Sequence, residues 1–297
     1  MPARFRRERV LIVGCGDIGL RAVTALRGRV QVLALTASGE RDALLRQRGI
    51  CPLRGDLDRP ASLRRLAGLG TRVLHLAPPP GEGWVDARTR ALTQVLRLRG
   101  APRALVYAST SGVYGDCAGA VVSETRATRA DTPRARRRVD AEASVRFFGR
   151  AGGARSSILR IPGIYAPDRA GGTPAGRLQK GTPVLRSQDD VYTNHIHADD
   201  LARACVKALW QGKAQRVYNV NDDTCLKMGD YFDLAADLYG LPRPPRVARD
   251  TAQSELPLVL LSFMSESRRM DNTRLKRELR LRLRYPTVES GLRPAGS

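Results

Sequence analysis

Short apolar runs alternate with stretches of helical periodicity along the first half of this chain. Val10-Leu11-Ile12-Val13 is a run of four apolar, mostly β-branched residues, and Leu20, Val23 and Leu26 then recur at helical spacing. Val30–Leu35 reads as a second strand, Arg41–Arg48 as a short helix and Cys51–Asp56 as a third strand. Ser62–Leu66 reads as helical and Arg72–Ala77 as a fourth strand. Asp86–Leu98 is amphipathic, with Ala87, Ala91, Leu92, Val95 and Leu96 on one face. Ala104–Ser109 and Ser157–Ile161 supply two more strands. Strands and helices alternating at this spacing predict an α/β fold with a doubly wound parallel sheet and right-handed crossovers.

Beyond Pro162 the pattern changes. Gly- and Pro-rich segments (Ala166–Pro174, Leu241–Pro245) separate short helices, and the β-like run Arg216–Val220 follows a helix over Asp199–Leu209. Residues 1–165, with 196–221 returning to them, are expected to form the sheet domain. Residues 166–195 and 222–297 are expected to form a small, loop-rich C-terminal substrate region over the carboxyl ends of the strands.

The first strand runs straight into Gly14-Cys15-Gly16-Asp17-Ile18-Gly19, a G-x-G-x-x-G set between a strand and a helix. Gly14 permits the tight turn, Gly16 lets the backbone approach a pyrophosphate, and Gly19 lets the helix pack closely on the strand. The helix N-terminus then offers unpaired N–H groups and a positive dipole end to the phosphates. That context makes the sheet a Rossmann sheet with a dinucleotide site; a glycine-rich turn in another α/β domain is the plainer alternative. The second strand ends in Leu35-Thr36-Ala37-Ser38-Gly39, with no acid at its tip to repel a 2′-phosphate. Thr36 and Ser38 can donate to phosphate and Arg41 can reach it, so NADP(H) is favoured over NAD(H). A slightly longer strand would bring Glu40 close and reverse that choice.

Composition narrows the class. At 297 residues and 42% hydrophobic, the chain can bury a large core. No apolar run approaches the ~20 residues that span a bilayer. Met1–Glu8 is basic and leaves no room for a secretory signal before the first strand, so a cytoplasmic protein with no membrane attachment is expected. Cys15, Cys51, Cys117, Cys205 and Cys225 are odd in number and scattered, which supports neither a metal site nor a disulfide framework. The net charge of +22 comes from 46 arginines against 5 lysines. Basic residues cluster at Arg126–Arg138 and Arg268–Arg284, without interleaved aromatics for base stacking. No specific nucleic-acid partner is expected, although weak, salt-sensitive binding to polyanions follows from charge alone.

The order of motifs resembles the extended short-chain dehydrogenase/reductase superfamily, in its NAD-dependent epimerase/dehydratase branch. The likeness rests on the glycine turn, Gly55-Asp56-Leu57, and Tyr107-Ala108-Ser109-Thr110-Ser111-Gly112-Val113-Tyr114-Gly115. It continues through Leu159–Tyr165, Ile196–Ala202 and Val217–Val220, and so covers nearly the whole chain. The G-x-G-x-x-G spacing is similar to that of atypical members, since most extended ones use G-x-x-G-x-x-G. The resemblance implies cofactor contacts from Gly14 through Gly19 (Cys15, Gly16, Asp17 and Ile18 included), from Asp56, Leu57, Leu76 and Ala77, and from Arg138, Pro162 and Ile164. It implies that His197 and Asp200 anchor the helix that follows them.

The resemblance also implies a Tyr-x-x-x-Lys pair, and here the corresponding positions hold Arg134 and Arg138. A carbonyl reductase needs a donor that cycles between acid and base. Arginine stays protonated, so it can hold an anion but cannot shuttle the proton. Arg138 can replace the lysine's charge, and Arg134 can clamp a carboxylate or phosphate; both can equally be members of a solvated charge run. Thr110, four residues before Tyr114 and flanked by Ser109 and Ser111, has the spacing of the family's substrate-binding hydroxyl. Tyr114, Tyr165 and His195 are relocated acid/base candidates. The expectation is an NAD(P)-dependent oxidoreductase or epimerase-like enzyme of atypical type acting on a small, anionic molecule, with a homodimer left open. A non-catalytic NADP(H)-binding sensor is the alternative.

Overall fold

A computed structural model describes residues 8–293 apart from 27 and 29. The basic stretch before Glu8 lies outside the described residues. Seven strands form one parallel sheet: β1 (Arg9–Val13), β2 (Gln31–Thr36), β3 (Ile50–Arg54), β4 (Arg72–His75), β5 (Ala104–Thr110), β6 (Arg155–Ile161) and β7 (Arg216–Asn219). Their order across the sheet is β7-β6-β5-β4-β1-β2-β3, every neighbour pair parallel. The order reverses between β1 and β4, where an open α/β sheet makes its crevice.

The helices are α1 (Asp17–Leu26), α2 (Asp42–Gln47), α3 (Ala87–Leu96), α4 (Pro133–Gly152), α5 (Ala175–Gln179), α6 (Ala198–Gln211), α7 (Met228–Tyr239), α8 (Arg249–Glu255), α9 (Leu258–Phe263), α10 (Thr273–Glu278) and α11 (Val288–Leu292). Val10, Leu11, Ile12 and Val13 are all fully buried, because helices cover both faces of a parallel sheet. Alternate residues point to opposite faces: Val10 and Ile12 meet α1 and α6, while Leu11 and Val13 meet the side of α3 and α4.

Three local expectations are corrected. Ser62–Leu66 lies within a 3-10 helix, Pro60–Leu66, that begins on a proline. The fourth strand stops at His75, because Leu76 and Ala77 both donate their N–H to the Val13 carbonyl and turn the chain away. The third strand stops at Arg54, so Gly55 and Asp56 form the turn that follows it.

A separate cluster of buried apolar residues, among them Leu178, Val184, Val191, Met228, Phe232 and Val288, gives the C-terminal region its own core. Residues 222–297 do not all belong to it. Leu275, Leu279 and Leu281 pack into the α1–α6 side of the sheet domain, and Arg216 of β7 pairs with Glu278. No helix among the described residues is long and apolar enough to cross a membrane.

Candidate functional site

The glycine turn has the geometry its residues dictate. Gly14 has φ of +86°, and a Cβ there would stand 2.4 Å from the Ala77 nitrogen, so only glycine fits. Gly16 lies differently: a Cβ there would meet nothing within 4 Å, which leaves its backbone open to a ligand. A Cβ at Gly19 would stand 3.2 Å from Cys15 Sγ, so glycine there lets α1 close on the turn. Cys15 is buried, and burial pushes its thiol up to about 11, so it is a packing residue. Ile18 is half-buried against the core. Asp17 would face an incoming phosphate with a like charge, but both its oxygens are held, by Arg21 at 3.0 Å and Arg169 at 3.1 Å. Arg21 also pairs with Asp168 and Asp199, tying α1 to α6 and to the loop after β6.

At the tip of β2, Thr36 donates to the Ser38 carbonyl at 2.5 Å, and Glu40 is exposed four residues beyond the strand. The positive charge of Arg41 acts on the Cys15 thiol in the direction of ionisation, against the larger effect of burial. Arg54, which sequence reasoning passed over, lies against Gly39 and pairs with Asp42. Asp56 accepts from the Asp58 N–H, and Leu57 is half-buried against the core.

Across the sheet, a cavity of about 600 Å³ opens at the carboxyl ends of β5 and β6. Thr110, Ser111 and Gly112 line it from β5, Pro162, Gly163 and Ile164 from the segment after β6, and Arg134 from the first turn of α4. The C-terminal region supplies the far walls, with Arg177 of α5, His195, and Met228, Tyr231 and Phe232 of α7. Thr110 caps the turn by accepting from the Gly112 N–H at 3.3 Å. Ser111 accepts from Arg268 at 3.4 Å, and Arg268 is paired with Glu266 at 2.7 Å. Arg138 is turned beneath the site, donating to the Tyr107 hydroxyl at 3.0 Å and the Ala108 carbonyl at 2.6 Å.

The acid/base candidates separate cleanly. Tyr114, named as catalytic from its place in the motif, is 1% exposed, and its hydroxyl donates to Asn219 at 2.7 Å. It is a buried strut and does not line the cavity. Tyr165 is a cavity wall whose hydroxyl turns away to the Thr287 carbonyl. His195 lines the cavity with its ring stacked on Tyr231 at 4.2 Å, and its Nδ1 has no partner among the described residues. Burial lowers it to about 4, so the ring is neutral near pH 7. His197 and Asp200 anchor α6: His197 accepts from the Asp199 N–H, and Asp200 takes the Arg284 and Tyr285 N–H groups. Among the described residues no group of His, Cys, Asp or Glu is arranged to hold a metal ion.

The model of the NAD dependent epimerase/dehydratase family matches residues 10–221, most of the chain. The chain belongs to that family. A functionally unknown conserved protein from Silicibacter pomeroyi is similar over 96% of both chains, at 31% identity and a TM-score of 0.81. UDP-glucose 4-epimerase from Thermotoga maritima, solved with UDP-glucose, is 19% identical over 96% of both chains, with a TM-score of 0.76. UDP-glucuronic acid 4-epimerase from Bacillus cereus, solved with NAD, is 18% identical over 96% of both chains, with a TM-score of 0.74. These two share the fold. Comparison with curated proteins gave no match.

Proposed function

We propose that this member of the family is an NAD(P)-dependent oxidoreductase or epimerase-like enzyme acting on a small anionic molecule. One observation carries the reading: the Thr110 strand end opens into a cavity at the carboxyl end of the sheet, the end at which the open Gly16 backbone stands. The fit of a dinucleotide rests on that turn, with Gly14 too tight for any side chain and Gly16 free of contacts. When bound, its nicotinamide supplies or takes hydride.

The chain's own residues then divide the work. Thr110 donates to the substrate oxygen at the reacting carbon. Arg134, exposed at the cavity wall, balances negative charge there but cannot give up its proton. Arg138 would supply the lysine's charge towards the nicotinamide ribose, and Arg134 and Arg138 stand in place of the Tyr-x-x-x-Lys pair. His195, neutral and with Nδ1 unpartnered, is a cavity group that can accept a proton in the oxidative direction. The end of β2 at Thr36, with Arg41 close by and Glu40 set beyond it, supports NADP(H) over NAD(H).

The test is titration with NADPH and NADH followed by a carbonyl substrate screen read by nicotinamide absorbance. Thr110→Ala is expected to keep NADPH affinity while lowering turnover by about 10²–10³, and Arg138→Ala to weaken cofactor binding. NADH bound at least as tightly as NADPH would overturn the cofactor choice, and an active enzyme indifferent to Thr110→Ala would overturn the mechanism. Arg134 and Arg138 favour a second reading, a dinucleotide sensor without turnover. Tight NADPH binding with no reaction across the screen decides for it.

A further inference from the structure

Arg177 is an anomaly for a side chain this deep in the cavity. Its guanidinium carbon stands 4.3 Å from the centroid of the Phe232 ring, so the cation lies over that ring. Nε and Nη2 are both buried, and neither has a hydrogen-bond partner among the described residues. Among the described residues it forms no ion pair with an acid, and the Tyr231 phenol shares its wall of the cavity. The neighbouring His195 ring is uncharged near neutral pH. Of the other guanidinium groups on these walls, Arg268 is paired with Glu266 and Arg169 with Asp17, while Arg134 is exposed to solvent.

An unpaired buried cation costs free energy, and a fold keeps one where a partner arrives from outside. The Nε–Nη2 edge, buried and unpartnered, carries two parallel N–H groups, a pair that matches the two oxygens of a carboxylate. At this wall one guanidinium balances the one negative charge of a carboxylate. We infer that Arg177 is the specificity residue of the substrate cavity and binds a carboxylate on the substrate, at the wall made by α5 and α7. The inference rests on reading this cavity as the substrate site. It adds a second anchor to Thr110, at the C-terminal wall of the cavity.

The experiment uses the full chain and probes of defined chemistry. Succinate, benzoate and inorganic phosphate are titrated at constant ionic strength, by calorimetry and thermal shift, with NADPH affinity measured in parallel. Wild-type protein is expected to bind at least one of the two carboxylates more tightly than phosphate. Arg177→Met, which keeps the apolar stem over Phe232, is expected to bind it at least 10-fold more weakly with NADPH affinity unchanged. Without ligand, the same variant is expected to melt higher than wild type, because a buried unpaired charge has been removed. Arg177→Lys keeps the charge without the fork and is expected to fall between the two. Equal carboxylate binding by wild type and Arg177→Met overturns the inference, as does a lower melting temperature for ligand-free Arg177→Met. Phosphate binding tighter than either carboxylate overturns the assigned class. A protein that binds neither NADPH nor NADH defeats the enzyme reading instead, and the two failures are therefore distinguishable.

Discussion

Gly14 and Gly16 stand two residues apart and serve opposite needs, which substitution can separate. A methyl at Gly14 would collide with the Ala77 backbone and hold a positive φ that alanine resists. Gly14→Ala is therefore expected to lower the melting temperature and to lose dinucleotide binding together with the fold. A side chain at Gly16 meets nothing of the protein. Gly16→Val should melt close to wild type and yet bind NADPH at least 10-fold more weakly, read by fluorescence titration. Equal affinity in Gly16→Val and wild type would remove the site assignment. Both roles are legible in the sequence because the turn is local, made by six consecutive residues between a strand and a helix. Arg177 was not legible for the converse reason. Its meaning arises only when α5 meets Phe232, far along the chain, and nothing near Arg177 in the sequence marks it.

At the scale of elements, α4 shows how a motif can be visible while its job is not. Glu142 is buried in the middle of this helix and accepts from Ser109 of β5 at 2.7 Å and from Arg160 of β6 at 3.1 and 2.8 Å. Arg160 in turn lies over the Tyr114 ring at 4.6 Å. The helix that carries Arg134 and Arg138 is thereby clamped to two strands, and the position of both arginines depends on that clamp. Glu142→Gln leaves Arg160 buried without a countercharge, for an expected loss of about 3–5 kcal/mol in denaturant unfolding. A loss below about 1 kcal/mol would show that the clamp contributes little. Tyr114 stood out in the sequence by its place four residues after Thr110, which fits a site residue and a strut equally. Only the partner of its hydroxyl, Asn219 on β7, decides between them. The strands were legible because a parallel sheet buried on both faces leaves continuous apolar runs. The return of Leu275, Leu279 and Leu281 to the sheet domain was hidden among the arginines of the last segment.

For the molecule as a whole, two buried titrating groups at the join of the sheet domain and the C-terminal region set opposing pH dependences. His195 falls from an ordinary value of 6.5 to about 4 because burial disfavours its charged ring. The unfolded chain then binds the proton first, so its share of stability is full above pH 6.5 and is lost as pH falls towards 4. Asp222 moves the other way, from 3.8 up to about 7, again chiefly through burial. Its native carboxyl keeps a proton that the unfolded chain has released, so its share is full below pH 3.8 and is lost as pH rises to 7. Each shift corresponds to a contribution on the order of 3–4 kcal/mol. The two nearly cancel between pH 4 and 7, and wild-type protein should show a shallow profile there. Substitution uncovers each arm. Relative to wild type, His195→Gln should gain stability as pH is lowered from 7 to 4, and Asp222→Asn should gain it as pH is raised from 4 to 8. Melting temperatures of the three proteins across that range, at fixed ionic strength, check the signs directly. Parallel profiles for wild type and both variants would mean that neither group titrates out of register with the unfolded chain, and His195 would then gain its charge well above pH 4, against the neutral ring proposed as a proton acceptor in the cavity.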